Sequence, residues 1–300
     1  MALNISVHSD LHTEFFDKHF YEQELSFLQF SHPSNQQDIS LDYLFLAGDI
    51  GNLKSMDKFF AQLRNTLKFH NTHIFYVLGN HEHYHLTYPD STAEYYQLCN
   101  EYNIQLLDNN VFVDDYRKVL IYGGTLWSNF KLGKNSEQSM KWAAENVYDY
   151  HAISYYPNPE DKNIKALIRP KHTQEIFNQS MNKIKEWFTK PEYQDYKKIV
   201  VSHFLPLHDC VHQQYTNDII TAYWASHRPD IVRLADIWIY GHSHDNINKD
   251  ISIDGKTVQL VCNQLGYLQA NNLTNYQDLL KADVFPNGYQ KNHWIELDWQ

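Results

Sequence analysis

Apolar runs that end in a carboxylate or an imidazole recur five times along this chain, and that recurrence constrains its fold more than any other feature. The central run is Phe75-Tyr76-Val77-Leu78-Gly79-Asn80-His81-Glu82, which reads as a buried strand entering a tight turn. An apolar stretch of this kind bounded by Gly fits a strand covered on both faces, as in the middle of an α/β sheet. Ligands of open α/β sheets bind beyond the carboxyl ends of the strands, so the amide, imidazole and carboxylate of Asn80 to Glu82 stand where chemistry is usually done.

The other four runs follow in order. Leu3, Ile5 and Val7 lead into Ser9-Asp10-Leu11-His12, and Tyr43 to Ala47 leads into Gly48-Asp49-Ile50-Gly51-Asn52. Lys198 to Ser202 ends at His203, and Asp236 to Tyr240 enters Gly241-His242-Ser243-His244. Between them the periodicity predicts a helix over Ser55 to His70, capped by Ser55 or Asn52, and a second over Ser91 to Tyr102. Two β-α units in succession imply parallel pairing and right-handed crossovers.

From Asn103 to Trp127 the texture shifts to short strands (104–107, 111–113, 119–122), which predicts that a second, mixed sheet begins there. A helix is expected over Ser136 to Tyr150, then irregular chain around Pro157 and Pro159. Pro170 opens a long helix to Thr189 with Ile176, Met181, Ile184, Trp187 and Phe188 facing inward. Asp254-Gly255 predicts a hairpin between Ile251–Ile253 and Val258–Val261, and Trp294 to Trp299 supplies a last strand. Residues 17–40, with Pro33, read as an excursion.

With 300 residues, 43% of them hydrophobic, the chain can bury a full core, and a single domain over 1–300 is expected, with 128–170 as a substrate-facing insertion. The net charge of −11 argues against duplex nucleic acid as a partner, because such binding needs a basic footprint. Cys99, Cys210 and Cys262 are too few and scattered for a disulfide framework and read as ordinary thiols. The start lacks the pattern of a signal peptide and no run of 18 apolar residues occurs, so the expectation is a cytoplasmic protein with no membrane span.

The strand-end residues Asp10, His12, Asp49, Asn80, His203, His242 and His244 are therefore the candidate metal ligands. Mixed carboxylate, imidazole and amide donors suit first-row divalent ions, with Mn²⁺, Fe²⁺ or Zn²⁺ all open, and match Ca²⁺ poorly. Seven donors exceed what one tetrahedral ion uses and suit two ions that share a carboxylate.

In order and spacing the five blocks resemble the calcineurin-like metallophosphoesterase superfamily: Asp-x-His, Gly-Asp, Gly-Asn-His-Glu, a lone His, and Gly-His-x-His. Within it the chain is similar to a bacterial group of unassigned substrate, through Gly124-Thr125-Leu126-Trp127, Trp238 to Asp245 and Cys262-Asn263-Gln264-Leu265-Gly266-Tyr267. The resemblance implies a layered α/β/β/α sandwich of two mixed sheets, with a dinuclear site at the strand ends. It assigns Asp10, His12, Asp49 and His244 to one ion and Asp49, Asn80, His203 and His242 to the other, with Asp49 bridging. Mn²⁺ is the first choice for both ions. It further implies a phosphoesterase in which a hydroxide held between the ions attacks phosphorus, His81 protonates the leaving oxygen, and Glu82 orients His81 or a ligand. The substrate class is a phosphoester or phosphoanhydride of a small nucleotide-like or related metabolite.

Two positions depart from the pattern: Asn52 stands where a second acid is common, and Phe204 where a second His is common. The alternatives are a metal-dependent nuclease, disfavoured by the negative charge, and a catalytically silent phosphate-binding protein, disfavoured by the intact ligand set. His8 reads as packed. Surface or packing roles are favoured for His83, His85, His151 and His208, and for the cluster of Tyr148, Tyr150, Tyr155 and Tyr156.

Overall fold

The computed structural model describes all residues except 1, 23–26, 33, 35–38, 68–70, 133–134, 159 and 299–300. Among the described residues the strands form three sheets. The first runs Ile295–Asp298, Ala2–His8, Tyr43–Ala47, His73–Val77, Gln105–Leu106, antiparallel at its first pair and parallel thereafter. The second runs Lys249–Ile253, Lys256–Val261, Ile237–Ile239, Lys197–Ser202, Val119–Gly124, Asn110–Asp114, antiparallel at both edges and parallel inside. A small third sheet joins Thr87–Tyr88, Ser154–Tyr155 and Ala166–Leu167.

Alternation along the strands builds the layers. Tyr43, Phe45 and Ala47 join Ile5, Val7, Phe75, Ile121, Ile199, Val201 and Ile239 in the core between the two large sheets. Leu44, Leu46 and Tyr76 face the other way, onto Phe59, Phe60 and Leu63 of the helix Leu53–Thr66. On the far side Leu120, Tyr122, Val200 and Trp238 meet Phe177, Met181, Ile184 and Phe188 of the helix Pro170–Phe188. Tyr43–Ala47 and Ile237–Ile239, buried on both faces, are apolar at every position, whereas Ala2–His8 alternates and buries Ser6 and His8 with its apolar side chains. The result is the layered α/β/β/α sandwich of two mixed sheets that the sequence predicts.

Several expectations are refined by packing. Asn52 rather than Ser55 caps the first long helix, its Oδ1 accepting from Ser55 N–H at 3.1 Å. That helix ends at Thr66, and the expected extension to His70 runs into residues outside those described, as do Pro33, Pro159 and Trp299. The second sheet begins at Asn110 rather than Asn103, because Gln105–Leu106 pairs in parallel with the edge of the first. The expected helix 136–150 is two, Ser136–Asn146 and Asp149–Ala152, with Val147 extended between them. Burial of Asp149 and Tyr150 overrides the local helical pattern there. In the long helix Phe177 is buried, while Ile176 and Trp187 flank it half-buried. Asp254 and Gly255 both take positive φ, 49° and 79°, as a two-residue hairpin turn requires.

Candidate metal centre and its cleft

Register brings the five loops to one edge. His8 lies opposite Leu46, Ala47 opposite Val77, and Val201 opposite Ile239, so the chain leaves each strand at the same level. The loops are then stitched to one another: Asp10 N–H donates to Gly48 O at 3.0 Å, His12 N–H to Asp49 O at 3.0 Å, and Gly241 N–H to His203 O at 2.9 Å. Asp10, His12, Asp49, His242 and His244 all hold left-handed backbone, with φ between 49° and 77°. Non-glycine residues adopt that region at a cost, and such costs collect at functional sites. The flanking glycines give the side chains room: a Cβ on Gly79 would stand 2.1 Å from Asp49 Oδ1.

The seven expected ligands converge. His12 Nε2 is 3.1 Å from His244 Nε2, which is 3.4 Å from Asp10 Oδ1. His203 Nε2 is 3.2 Å from Asp49 Oδ2, 3.2 Å from Asn80 Oδ1 and 3.2 Å from His242 Nδ1. Asp49 Oδ2 also lies 4.0 Å from His12 Nε2, between the two groups. Donor atoms about 2.0–2.2 Å from a shared ion stand about 3.0–3.5 Å apart in octahedral or tetrahedral geometry, so this donor set fits a divalent metal.

The outer partners point the lone pairs inward. His203 Nδ1–H donates to Ala47 O at 3.0 Å and His12 Nδ1–H to Glu14 Oε1 at 3.3 Å, which turns both Nε2 atoms toward the centre. His242 Nε2 is buried with no hydrogen-bond partner, while its Nδ1 faces the group. Burial lowers the His203 pKa, but the Asp49 and Asp10 carboxylates outweigh it and raise it to about 10. The centre is negative enough to draw positive charge.

His81 lies beside the donors, its Nε2 3.8 Å from Asp49 Oδ2 and its Nδ1 3.1 Å from Glu14 Oε1. Burial depresses this imidazole as well, and Asp49 with Glu14 holds it up at about 9. Glu82 accepts from the N–H groups of Asp49, Ile50 and Gly79 at 3.0, 2.8 and 2.8 Å, and from Tyr76 OH at 2.7 Å. It therefore fixes the backbone that carries Asp49 rather than the His81 ring.

Four residues at the site were not singled out by the sequence. Glu14 bridges His12 and His81. Asp149, fully buried, accepts from Asn80 Nδ2 and Tyr84 OH on one oxygen and from Trp127 Nε1 and Tyr223 OH on the other. Gln264 Oε1 accepts from His244 N–H at 2.7 Å, and the Tyr267 ring stacks on His12 at 4.6 Å. Gln264 and Tyr267 belong to the Cys262–Tyr267 motif, the available signal for them. Phe204 stacks on His242 at 4.0 Å and so holds that ring.

A cleft of ≈ 660 Å³ opens over the donors, lined by Asp49, Asn80, His81, His242 and His244 at its floor. Tyr148 joins its wall, whereas Tyr150 is core and Tyr155 and Tyr156 line a separate hollow. His83, His85, His151 and His208 do not line it: His83 is buried against Ser91, and His151 and His208 donate to the carbonyls of Glu145 and Thr216. His8 is packed under the sheet, bonded to Tyr289 OH at 3.0 Å.

The chain is similar to known proteins in sequence and in fold. An uncharacterized protein of Acanthamoeba polyphaga mimivirus is 30% identical over 284 residues, covering 89% of this chain and 92% of its own. Among solved structures, phosphopantetheinyl hydrolase from Mycobacterium tuberculosis shares the fold at a TM-score of 0.59 and 18% identity, over 88% of this chain and 89% of that one. The model of the calcineurin-like phosphoesterases matches residues 3–246. The chain belongs to the calcineurin-like phosphoesterase family and is a hydrolase of phosphoester bonds.

Proposed function

We propose that this protein hydrolyses a phosphoester or phosphoanhydride of a small, nucleotide-like or related metabolite at a dinuclear centre. The convergence of seven donors in two groups that meet at Asp49 carries the reading. Asp10, His12, Asp49 and His244 would hold one ion and Asp49, Asn80, His203 and His242 the other, with Mn²⁺ first and Fe²⁺ or Zn²⁺ as alternatives. Such ions, when bound, polarise the phosphoryl group and activate water.

The protein's own residues do the rest. His81 faces the floor of the cleft and gives its proton to the departing oxygen, and Glu14 holds its far nitrogen. Glu82 keeps Asp49 in place through the backbone. Residues 128–170 act as an insertion in a single domain over 1–300, supplying Asn146, Val147, Tyr148 and Asp149 to the cleft. No described helix is long and apolar enough to cross a membrane, and three free, buried cysteines support a reducing, cytoplasmic setting.

The test is turnover of the Mn²⁺-loaded protein on a panel of phosphomonoesters, phosphodiesters and dinucleotides. Metal-dependent release of phosphate or alcohol from a small substrate is expected. Turnover confined to polynucleotides would promote the nuclease alternative, and none on any substrate the silent binding protein.

A further inference from the structure

Above the imidazoles at its floor, the cleft has aromatic walls. Tyr84, Tyr148, Tyr215, Tyr223, Trp224 and Tyr267 line it, and neither Lys nor Arg is among its described lining residues. The rings form pairs: Tyr215 against Trp224 at 4.9 Å and 88°, Tyr84 against Tyr148 at 5.1 Å and 87°. Tyr84 and Tyr223 spend their hydroxyls on Asp149, so they offer the cleft ring surface rather than donors. Tyr148 is 53% and Tyr267 40% exposed, so both rings keep surface free toward the cleft while packing on Tyr84 and His12. The Asp245 carboxylate, in the same lining, disfavours a further anion there.

Resting on the phosphoesterase reading above, we infer that the substrate carries a single phosphoryl group and an uncharged, ring-bearing alcohol. Divalent ions held by the donors at the floor would offset the charge of that one phosphoryl group. A second phosphate or a carboxylate further along the substrate would face Asp245, with neither Lys nor Arg among the described lining residues to offset it. A flat, neutral ring meets faces and edges of Tyr and Trp instead, the geometry in which aromatic pairs attract. The cleft volume of ≈ 660 Å³ lies within the roughly 300–1,000 Å³ usual for small-ligand sites, enough for a phosphoryl group with one ring system.

The experiment uses the Mn²⁺-loaded full chain and esters matched in leaving-group pKa: ethyl phosphate, 2-(naphthyl)ethyl phosphate, the latter with a ring carboxylate, and the methyl diester of each. The ring ester is expected to exceed the ethyl ester in kcat/KM by about ten-fold or more, the worth of one good aromatic contact. The ring carboxylate should cancel that gain, and Asp245→Asn should restore part of it. Trp224→Ala should shrink the ratio of ring to ethyl ester. Independently of turnover, the non-hydrolysable naphthylethyl phosphonate should bind wild type more tightly than ethyl phosphonate does in calorimetry, and Trp224→Ala should lose the difference. Hydrolysis of both esters at equal kcat/KM, or preference for the anionic ring, overturns the inference and leaves the phosphoesterase reading standing. Failure to hydrolyse any ester with metal bound overturns both.

Discussion

Asp149 Oδ1 accepts from Asn80 Nδ2 at 3.0 Å, and with the amide held that way Asn80 Oδ1 faces His203 Nε2 at 3.2 Å. An amide has a donor end and an acceptor end, and a buried carboxylate can take only the donor end. Asp149 thus selects the orientation in which the oxygen of the proposed ligand points at the donor group. Asp149→Asn should lower metal affinity by about 10–100-fold, the usual effect of removing a group that orients a ligand. Metal titration by calorimetry measures it, with circular dichroism confirming the fold. Tyr223→Phe removes a donor from the other oxygen of Asp149 and should cost about 1 kcal/mol in unfolding free energy with little change in metal affinity. Equal metal affinity in Asp149→Asn and wild type would show that the carboxylate serves packing alone.

Asp49 carries the next test because its Oδ2 stands between the two groups, 3.2 Å from His203 Nε2 and 4.0 Å from His12 Nε2. As the proposed bridge, Asp49→Asn should lower occupancy of both ions together and abolish hydrolysis. Elemental analysis of the purified variant reads this directly. Two ions per chain at wild-type occupancy would refute the bridging assignment.

Much of this arrangement is legible in the sequence because most of the central strands are nearly continuous apolar runs that give way to strongly polar residues at their carboxyl ends. Asp10, Asp49, Asn80, His203 and His242 follow apolar runs directly or within a few residues, so parallel register alone gathers them. Asp149 shows the limit. Its donors come from positions 80, 84, 127 and 223, and nothing local to the 136–150 stretch marks it as buried. The helical pattern there even hides the break at Val147 that turns Asp149 inward. Glu14 is missed for a different reason: it lies two residues beyond His12 on a short turn, and its role appears only when His81 arrives from another strand.

Acid should unfold the protein through histidines far from the cleft as well as near it. Burial drives the pKa of His83 and His293 down to about 4, and burial followed by His293 drives His8 well below its ordinary value. Unfolded, each titrates near 6.5. Between these values the unfolded chain binds more protons than the folded one, so stability is lost as pH falls from about 6.5 toward 4. Each such histidine contributes up to about 1.4 kcal/mol per pH unit in that window. His293→Asn keeps an acceptor for Val7 N–H and removes one titrating group, so its urea midpoint should fall less steeply from pH 7 to pH 5. Parallel slopes for variant and wild type would mean that His293 is not held neutral.

His81 separates proton transfer from metal chemistry. Its Nε2 is 3.8 Å from Asp49 Oδ2 and 3.5 Å from Tyr267 OH, while Glu14 takes the Nδ1 side at 3.1 Å, so one nitrogen is anchored and the other faces the cleft. A general acid matters only when the departing oxygen needs a proton, and metal ligands serve good and poor leaving groups alike. His81→Ala should therefore retain its bound metal and much of its rate on a p-nitrophenyl ester. On an alkyl or ribose ester it should lose roughly 10²-fold or more, within the range for a positioned acid. Glu14→Gln, which weakens the anchor without removing the imidazole, should fall between the two. The readout is log kcat/KM against leaving-group pKa, where a steeper negative slope in His81→Ala assigns it the proton. Parallel lines would leave His81 as a phosphate-positioning group and move the acid to a solvent water, since His83, the neighbouring imidazole, is buried against Ser91 and does not reach the cleft.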